Sequence, residues 1–495
     1  MTLTTLIIGI AVFALVLTSL ERVMGHKLIK NFGLSLLQNF VGGLFIFSGM
    51  VKAVDPLGTA YKMEQYFGEF QTTFANTNAS FLAPVFPMLS EYATAFSVIM
   101  IVFEIVLGVA LLLGAMRKTT AWAYFLLVLF FTFLTGFTYL TGYVPEGVNF
   151  FQFGDWGPYE PTNMKVTDCG CFGDFLKLEP KVSFLKDIFL LIPGFLFLLF
   201  ASREHQLFTA GTRRIIMVAA TAAVLLYSFS NYVWNIPGID FRPFKVGANI
   251  AERKALEEEA EQNVQVLAYR ITNKTTGEVV ELPFDQYLQD YAKYPTEEWD
   301  LDQVKSEPEV ARTKISDFEV SDLKGNDLTD AILSEPGYSI MIVAYKLYGT
   351  ETSRTIMLPD SIFAVDTVIT ELDTVTSTRL VRVDQLEKTV KEYQWDEDYL
   401  ARWKTNFLPE MEAATAAGVK VYGLTAYSDP ERIASFREAL GTKIPFFQAD
   451  DILLKTIVRS NPGPVLMKAG TIIMKWHYKR MPTFEEMKAE YMPSE

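Results

Sequence analysis

Six apolar stretches dominate the chain, at residues 2–20, 34–53, 94–116, 119–142, 184–202 and 215–235. Each is long enough to cross a bilayer as a helix, since a hydrocarbon core of about 30 Å takes roughly 20 apolar residues. Backbone inside lipid must satisfy its own hydrogen bonds, so such stretches have almost no fold open to them except helices packed side by side. All six fall within the first 235 of 495 residues, where 14 basic and 14 acidic groups cancel. The remainder holds the other 30 basic and 44 acidic groups, and so the whole net charge of −14. A single soluble domain is excluded. Disorder is excluded too, because half of the residues are hydrophobic. A chain with a pI near 5.0 offers no basic face for nucleic acid.

The first stretch has no basic segment before it and no small-residue cleavage site after it, and is read as a retained helix rather than a signal peptide. Basic residues cluster in three short loops: Arg22, Lys27 and Lys30; Arg117 and Lys118; Arg203, Arg213 and Arg214. Positive loops stay cytoplasmic. The longer loops at 54–93 and 143–183 then face outward, together with the acidic C-terminal half. This predicts a bacterial inner-membrane protein with a large periplasmic domain. The first outer loop is rich in aromatics (Tyr61, Tyr66, Phe67, Phe70, Phe74, Phe81 and Phe86) at partly helical spacing. Such a segment either lies at the interface as an anchor or walls a hydrophobic ligand such as a quinone.

Both cysteines of the chain lie in the second outer loop, in Asp168-Cys169-Gly170-Cys171-Phe172-Gly173-Asp174. Any intramolecular disulfide must join them. A bridge across one intervening residue closes a small, strained ring, and strained disulfides are the oxidising, labile ones. Gly170 eases the turn between them, and Asp168 and Asp174 flank the pair. The loop ends near Ser183, so the sulfurs sit at the bilayer surface. A redox pair, a static brace, free thiols and half of an intermolecular metal site are all compatible with this pattern. Metal is the least supported, since zinc takes four ligands and His26, His205 and His477 are scattered.

Glu104 stands in the middle of the third stretch, where a carboxylate is costly and marks function by default. It is expected to be protonated or hydrogen-bonded. Lys52, near the outer end of the second stretch, is a candidate partner, although it could also snorkel to the headgroups. Gln38 and Asn39 are further polar groups in that stretch. The alternatives are a buried polar clamp between helices and proton transfer coupled to thiol oxidation.

Three segments resemble a known family. They are Phe45-Ile46-Phe47-Ser48-Gly49-Met50-Val51-Lys52-Ala53-Val54-Asp55-Pro56; Glu104-Ile105-Val106-Leu107-Gly108-Val109-Ala110-Leu111-Leu112-Leu113-Gly114; and the loop Asp168 to Gly173 followed by Ser183-Phe184-Leu185-Lys186-Asp187. Together, over about residues 30–205, they resemble the DoxX-like, MauE-type membrane proteins of methylamine utilisation. That resemblance implies a four-helix membrane bundle and disulfide formation in a partner protein, in outline like the quinone-linked disulfide generators. Cys169 and Cys171 would then be the redox pair, with Lys52 and Glu104 at recurrent polar positions. This chain departs from those generators in having a single Cys-x-Cys and no shuttle cysteines.

Beyond residue 235 the composition changes. Residues 236–313 read as a charged connector with Glu257-Glu258-Glu259 in a helix-like run. From 314 onward, β-branched segments at 315–320 and 338–344 read as strands around a short helix at 327–333. A helix at 396–417, strand 419–424, helix 429–440, strand 445–448, helix 450–458, strands 464–468 and 471–476, and a terminal helix at 483–491 follow. Alternating strands and helices argue for a layered α/β sheet. The order and the run Asn461-Pro462-Gly463-Pro464-Val465-Leu466-Met467-Lys468-Ala469-Gly470-Thr471 are similar to the thioredoxin-like fold over 314–495, with an insertion near 349–395. That resemblance makes Pro462 a cis-proline at a partner-binding position. The dithiol of that fold would follow Ala344, where Tyr345-Lys346-Leu347-Tyr348-Gly349 has no sulfur. This domain therefore cannot exchange thiols itself.

The domain reading is an N-terminal helix and turn (1–30), a DoxX/MauE-like bundle (31–205), a sixth span (206–235), the connector (236–313) and the thioredoxin-like domain (314–495). Two functions fit it. One is a thiol–disulfide oxidoreductase in which Cys169 and Cys171 pass electrons from a periplasmic client to a membrane quinone; no other cofactor is called for. The other is a non-enzymatic scaffold or accessory subunit of an envelope complex, with the disulfide as a brace. Lipid is a partner in both cases and nucleic acid in neither.

Overall fold

The protein is described from a computed structural model covering residues 2–24, 29, 31–166, 170–369 and 374–493. Cys169 and Asp168 of the Cys-Gly-Cys loop, and His26, Lys27 and Lys30 of the first short loop, lie outside the described residues. Internal contacts divide the chain into two units, Met1–Arg242 and Pro243–Glu495.

The first unit is helical: α1 Leu3–Met24, α2 Phe32–Val54, α3 Pro56–Ala75, α4 Val85–Glu91, α5 Ala93–Leu113, α6 Arg117–Leu140, α7 Pro180–Phe200 and α8 Ala210–Phe229. Six helices, at Leu3–Val23, Phe32–Val54, Ala93–Leu113, Arg117–Tyr143, Pro180–Arg203 and Ala210–Trp234, are long and apolar enough to cross a membrane, one for each stretch expected from the sequence. The chain is a multi-pass membrane protein. Local chemistry sets the helix boundaries. The Asn31 side chain caps α2 by accepting from the Leu34 N–H. Asp55 ends α2 and caps α3, with Pro56 in the first turn of the new helix. Gly114, at φ 62°, ends α5 in the left-handed region.

The helix α2 crosses α5 closely because both carry small residues there. A Cβ on Gly108 would stand 2.7 Å from the Gly42 carbonyl oxygen, and one on Gly49 would collide with the Ile105 side chain. Between helices in lipid, such small-residue contacts supply the packing that the hydrophobic effect cannot. Of the aromatics in the first long loop, Tyr61, Tyr66, Phe67, Phe70 and Phe74 lie on the helix α3, and Phe86 lies on α4. Tyr66 and Phe70 are buried with Phe137 and Val166, and the Tyr66 hydroxyl lies 2.6 Å from Thr138 Oγ1.

The second unit begins with α9 Ile250–Gln262, followed by β1 Val266–Asn273, β2 Val279–Pro283, α10 Phe284–Asp290 and β3 Trp299–Lys305. These strands form an antiparallel sheet in the order β2-β1-β3, which the charge-rich composition of this region had hidden. Within the acidic run, Glu257 is buried rather than solvated. It accepts from the Thr313 N–H and Oγ1 at 2.8 and 2.7 Å and from Arg253 Nε at 2.6 Å, tying α9 to the segment before residue 316.

Next come α11 Thr329–Leu333, β4 Tyr338–Val343, β5 Gly349–Ile369, β6 Thr374–Trp395, α12 Glu397–Asn406, α13 Leu408–Ala416, β7 Lys420–Thr425, α14 Pro430–Leu440, β8 Phe446–Gln448, α15 Asp451–Ile457, β9 Gly463–Lys468, β10 Thr471–Lys475 and α16 Phe484–Tyr491. Five strands form a mixed sheet in the order β10-β9-β4-β7-β8. The central β4 runs parallel to β7 and antiparallel to β9. It is buried on both faces, as a strand covered by helices on both sides must be. Ile340, Ile342, Tyr399, Trp403, Phe436, Phe446 and Leu466 share its core.

Two expectations are corrected. Residues 315–320 are not a strand: Ile315 and Phe318 are buried by a turn in which the Phe318 N–H donates to the Ile315 carbonyl. Their spacing of three never had the alternation a strand requires. The helix expected over 396–417 breaks at Phe407, just before Pro409 enters the first turn of α13. The insertion at 349–395 is a long two-stranded antiparallel ribbon of β5 and β6.

Candidate functional site

Helical periodicity places Leu44, Ser48 and Lys52 on one face of α2, four residues apart. The Ser48 hydroxyl donates to the Cys171 carbonyl oxygen at 2.9 Å, pinning the described end of the cysteine loop to this helix. Cys171 packs against the buried cluster of Leu6, Ile10, Leu44 and Phe172, as does Leu190. One turn before Leu190 on α7 stands Lys186, which pairs with Asp187; Asp187 Oδ2 also accepts from Thr135 Oγ1 of α6 at 3.0 Å. Across the bundle, Lys52 Nζ meets Glu104 Oε2 of α5 at 2.7 Å, with side-chain exposures of 7% and 2%. The Lys52 ammonium also sits 5.0 Å from the Phe131 ring centroid. Lys52 is thus the partner of Glu104 and does not snorkel outward.

These two ion pairs act on one sulfur. Cys171 is a free thiol that feels Lys186, Asp187, Lys52 and Glu104 electrostatically, and Lys186 in turn feels both Cys171 and Glu104. Burial pushes the Cys171 thiol up from its ordinary value, and Lys186 is the strongest opposing influence. At rest the sulfur is a poor nucleophile, and the ammonium that favours its thiolate is already in place. Sequence reasoning found Cys171, Lys52 and Glu104 but gave no role to Lys186, Asp187, Ser48 or Thr135. The signal was present: Lys186 and Asp187 are charges at the entry of an apolar span, the rule that flagged Glu104. Asp174 lies 3.6 Å from Lys177 in a partly exposed pair.

At the other end of α2, Gln38 and Asn39 lie in a second buried polar cluster. Asn39 Nδ2 donates to Thr18 Oγ1 and to Glu21 Oε2, both at 2.9 Å. The Gln38 amide bridges the Leu111 carbonyl at 3.4 Å and the His205 N–H at 3.0 Å. His205 Nε2 reaches the Leu112 carbonyl at 2.9 Å, and the Leu207 N–H donates to that of Leu113. The C-terminal carbonyls of α5, which a helix cannot satisfy internally, are closed in this way by α2 and the segment 204–207. Nearby, Glu204 is raised to about 8 by burial, against the pull of Arg117.

In the second unit, the Asn461–Pro462 peptide bond is cis and Pro462 is buried. Asn461 Nδ2 donates to the Lys346 carbonyl at 2.7 Å, and the Tyr399 hydroxyl donates to Asn461 Oδ1 at 3.2 Å. Among the described residues, no group of three or more His, Cys, Asp or Glu side chains is arranged to hold a metal.

With this geometry in view, comparison with known proteins adds one finding. Residues 30–145 match the family described as methylamine utilisation protein MauE. The matched stretch takes in α2 to α6, and therefore Lys52, Glu104 and Thr135. It ends before Cys171, Lys186 and Asp187, and is shorter than the 30–205 over which the sequence resemblance was drawn. No curated protein and no solved structure matches the chain.

Proposed function

We propose that the protein is a membrane thiol–disulfide oxidoreductase working through Cys169 and Cys171. The observation that carries this reading is the convergence of the Lys52–Glu104 and Lys186–Asp187 pairs on Cys171 inside a membrane bundle. A structural brace needs no buried charge around it, and buried charge in lipid is costly. In the proposed cycle, one client thiolate attacks the Cys169–Cys171 disulfide. A mixed disulfide forms and the other cysteine leaves as a thiolate; when that cysteine is Cys171, Lys186 stabilises it. The second client thiolate then displaces the protein sulfur. The client loses two electrons and two protons, and the reduced pair passes both to a quinone, which becomes quinol. The Lys52 and Lys186 ammonium groups are the donors a quinone carbonyl would require.

In this reading residues 314–495 of the second unit are a thioredoxin-like domain without its dithiol. The strand order β10-β9-β4-β7-β8 supports it; the missing cysteines after β4, where the β5–β6 ribbon departs, are its departure from that fold. Its role is to hold the client. The positive loops support a location in a bacterial inner membrane, with this domain in the periplasm.

The ribbon favours a second reading, a scaffold subunit of an envelope complex. Phe363, Leu380 and Leu386 are exposed on it, and an isolated hairpin is at most marginally stable. The test replaces Cys169 and Cys171 together by Ser and follows client disulfides in cells. Loss of client oxidation, with a Cys171→Ser variant trapping a mixed disulfide, supports the enzyme. Normal oxidation with the variant inserted and stable leaves the scaffold.

A further inference from the structure

The polar cluster at the α1–α2 end of the bundle is not absorbed by thiol chemistry. It is buried: Asn39 and His205 are at 0% exposure and Glu21 at 8%. Its hydrogen-bond inventory does not close. Thr18 Oγ1 donates to the Ala14 carbonyl at 2.7 Å and accepts from Asn39, while Asn39 Nδ2 spends its two hydrogens on Thr18 and Glu21. Left without partners are Glu21 Oε1, Asn39 Oδ1 and His205 Nδ1. The two oxygens accept by nature. His205 Nε2 faces the Leu112 carbonyl, which can only accept, so that nitrogen must carry the hydrogen. In the neutral ring, Nδ1 is then a bare lone pair, 4.0 Å from Glu21 Oε2.

A buried carboxylate and a bare imidazole nitrogen facing each other are mutually repulsive, and each leaves a buried acceptor unsatisfied, which is unfavourable. One added proton resolves both groups, either as imidazolium beside carboxylate or as imidazole beside carboxylic acid. A hard metal cation fits less well, because imidazole nitrogen is a poor ligand for it and the Asn39 amide hydrogens already occupy the near side of Glu21. We infer that Glu21 and His205 together bind one exchangeable proton, forming a proton-binding site separate from the cysteine centre.

The surroundings fit a single-proton site. α2 and α5 contribute only neutral groups to it: Gln38, Asn39 and the Leu111 and Leu112 carbonyls. Lys118, Arg203 and Arg214 also stand on these elements, Arg203 lying over Phe200, and three other cations have their own contacts. Arg117 of α6 is bonded to the Ser202 and Glu204 carbonyls, Arg213 of α8 to the Leu207 and Phe208 carbonyls, and Arg22 of α1 lies over Phe32. Glu204 is the remaining acid. Between Asn39 and Lys52, about 20 Å along α2 at ~1.5 Å per residue, Ser48 is the one polar side chain. No polar row on that helix joins the two clusters.

The test uses the full chain in lipid nanodiscs, labelled with 15N-histidine, with pH-difference infrared spectra of the same sample. With three histidines in the chain, the His205 signal is assigned by its loss in His205→Asn. Two results support the site. In one, His205 is imidazolium near neutral pH, and its protonated-to-neutral ratio falls at least tenfold in Glu21→Gln. In the other, His205 is neutral and protonated on Nε2, with a buried carboxylic-acid band that disappears in Glu21→Gln. A neutral His205 with no carboxylic-acid band beyond the one lost in Glu204→Gln overturns the inference, whether or not the Glu21→Gln variant folds. A His205 signal that responds to sodium or potassium at constant pH overturns it in favour of a metal-ion site.

Discussion

The Lys52–Glu104 pair gives a quantitative handle on the bundle. Its 2.7 Å contact and exposures of 7% and 2% put two unit charges where water screens them little. At an effective dielectric of about 20 their attraction is ~6 kcal/mol, and the cost of desolvating both charges cancels much of it. Removing one partner leaves that cost unmatched. Glu104→Met and Lys52→Met are therefore each expected to lower bundle stability by about 3–5 kcal/mol, while the double variant Lys52→Met/Glu104→Met recovers most of the loss. The assay is equilibrium unfolding in mixed micelles by SDS titration, read by far-ultraviolet helicity, with the four proteins forming a double-mutant cycle. Two results would refute the reasoning. Single variants within about 1 kcal/mol of wild type would mean a solvated pair. A double variant as unstable as the sum of the singles would mean that the charges do not act on each other.

Three further outcomes are expected. In a Cys169→Ser background, Lys186→Met slows alkylation of Cys171 by a small maleimide and moves its pH profile upward, because Lys186 is the strongest influence holding the thiol down against burial; an unchanged profile removes Lys186 from the site. Gly108→Ala destabilises the bundle by about 1–3 kcal/mol, since a Cβ 2.7 Å from the Gly42 carbonyl meets backbone that cannot swing aside, and the same SDS titration reads it. Glu257 is held below the usual carboxylate range, with burial the largest influence but outweighed by hydrogen bonds from Ser316, Thr313 and Arg253. The stability it contributes is present above the ordinary glutamate value and is lost as pH falls through its lowered one. Acid should therefore expose the α9 amides to hydrogen exchange in the wild-type protein, and Glu257→Gln should show that exposure already at neutral pH.

The membrane helices were legible because a single local property, apolar length, decides them, and lipid leaves no competing fold. Their boundaries shifted by a few residues where caps such as Asn31, Asp55 and Gly114 took over. In the second unit, 338–343, 420–425 and 430–440 were legible for a similar reason: β-branched runs and an Asp-Pro start bias the backbone before any packing occurs. The ribbon at 349–395 and the sheet β2-β1-β3 were not, since strands so rich in charge reveal themselves only through their partners.

The sequence by itself determined that this chain spans a membrane several times, that its acidic charge is gathered in the C-terminal half, and that two cysteines one residue apart carry all of its sulfhydryl chemistry. Tertiary structure alone decided which charges meet. Lys52 and Glu104 stand 52 positions apart, as do Thr135 and Asp187, and Asn39 lies 18 from Glu21 while His205 lies 167 from Gln38. No local pattern encodes such pairings. In lipid, a polar group that cannot reach water must find a partner across the bundle, and which one it finds depends on the close crossing of helices at residues such as Gly42 and Gly108.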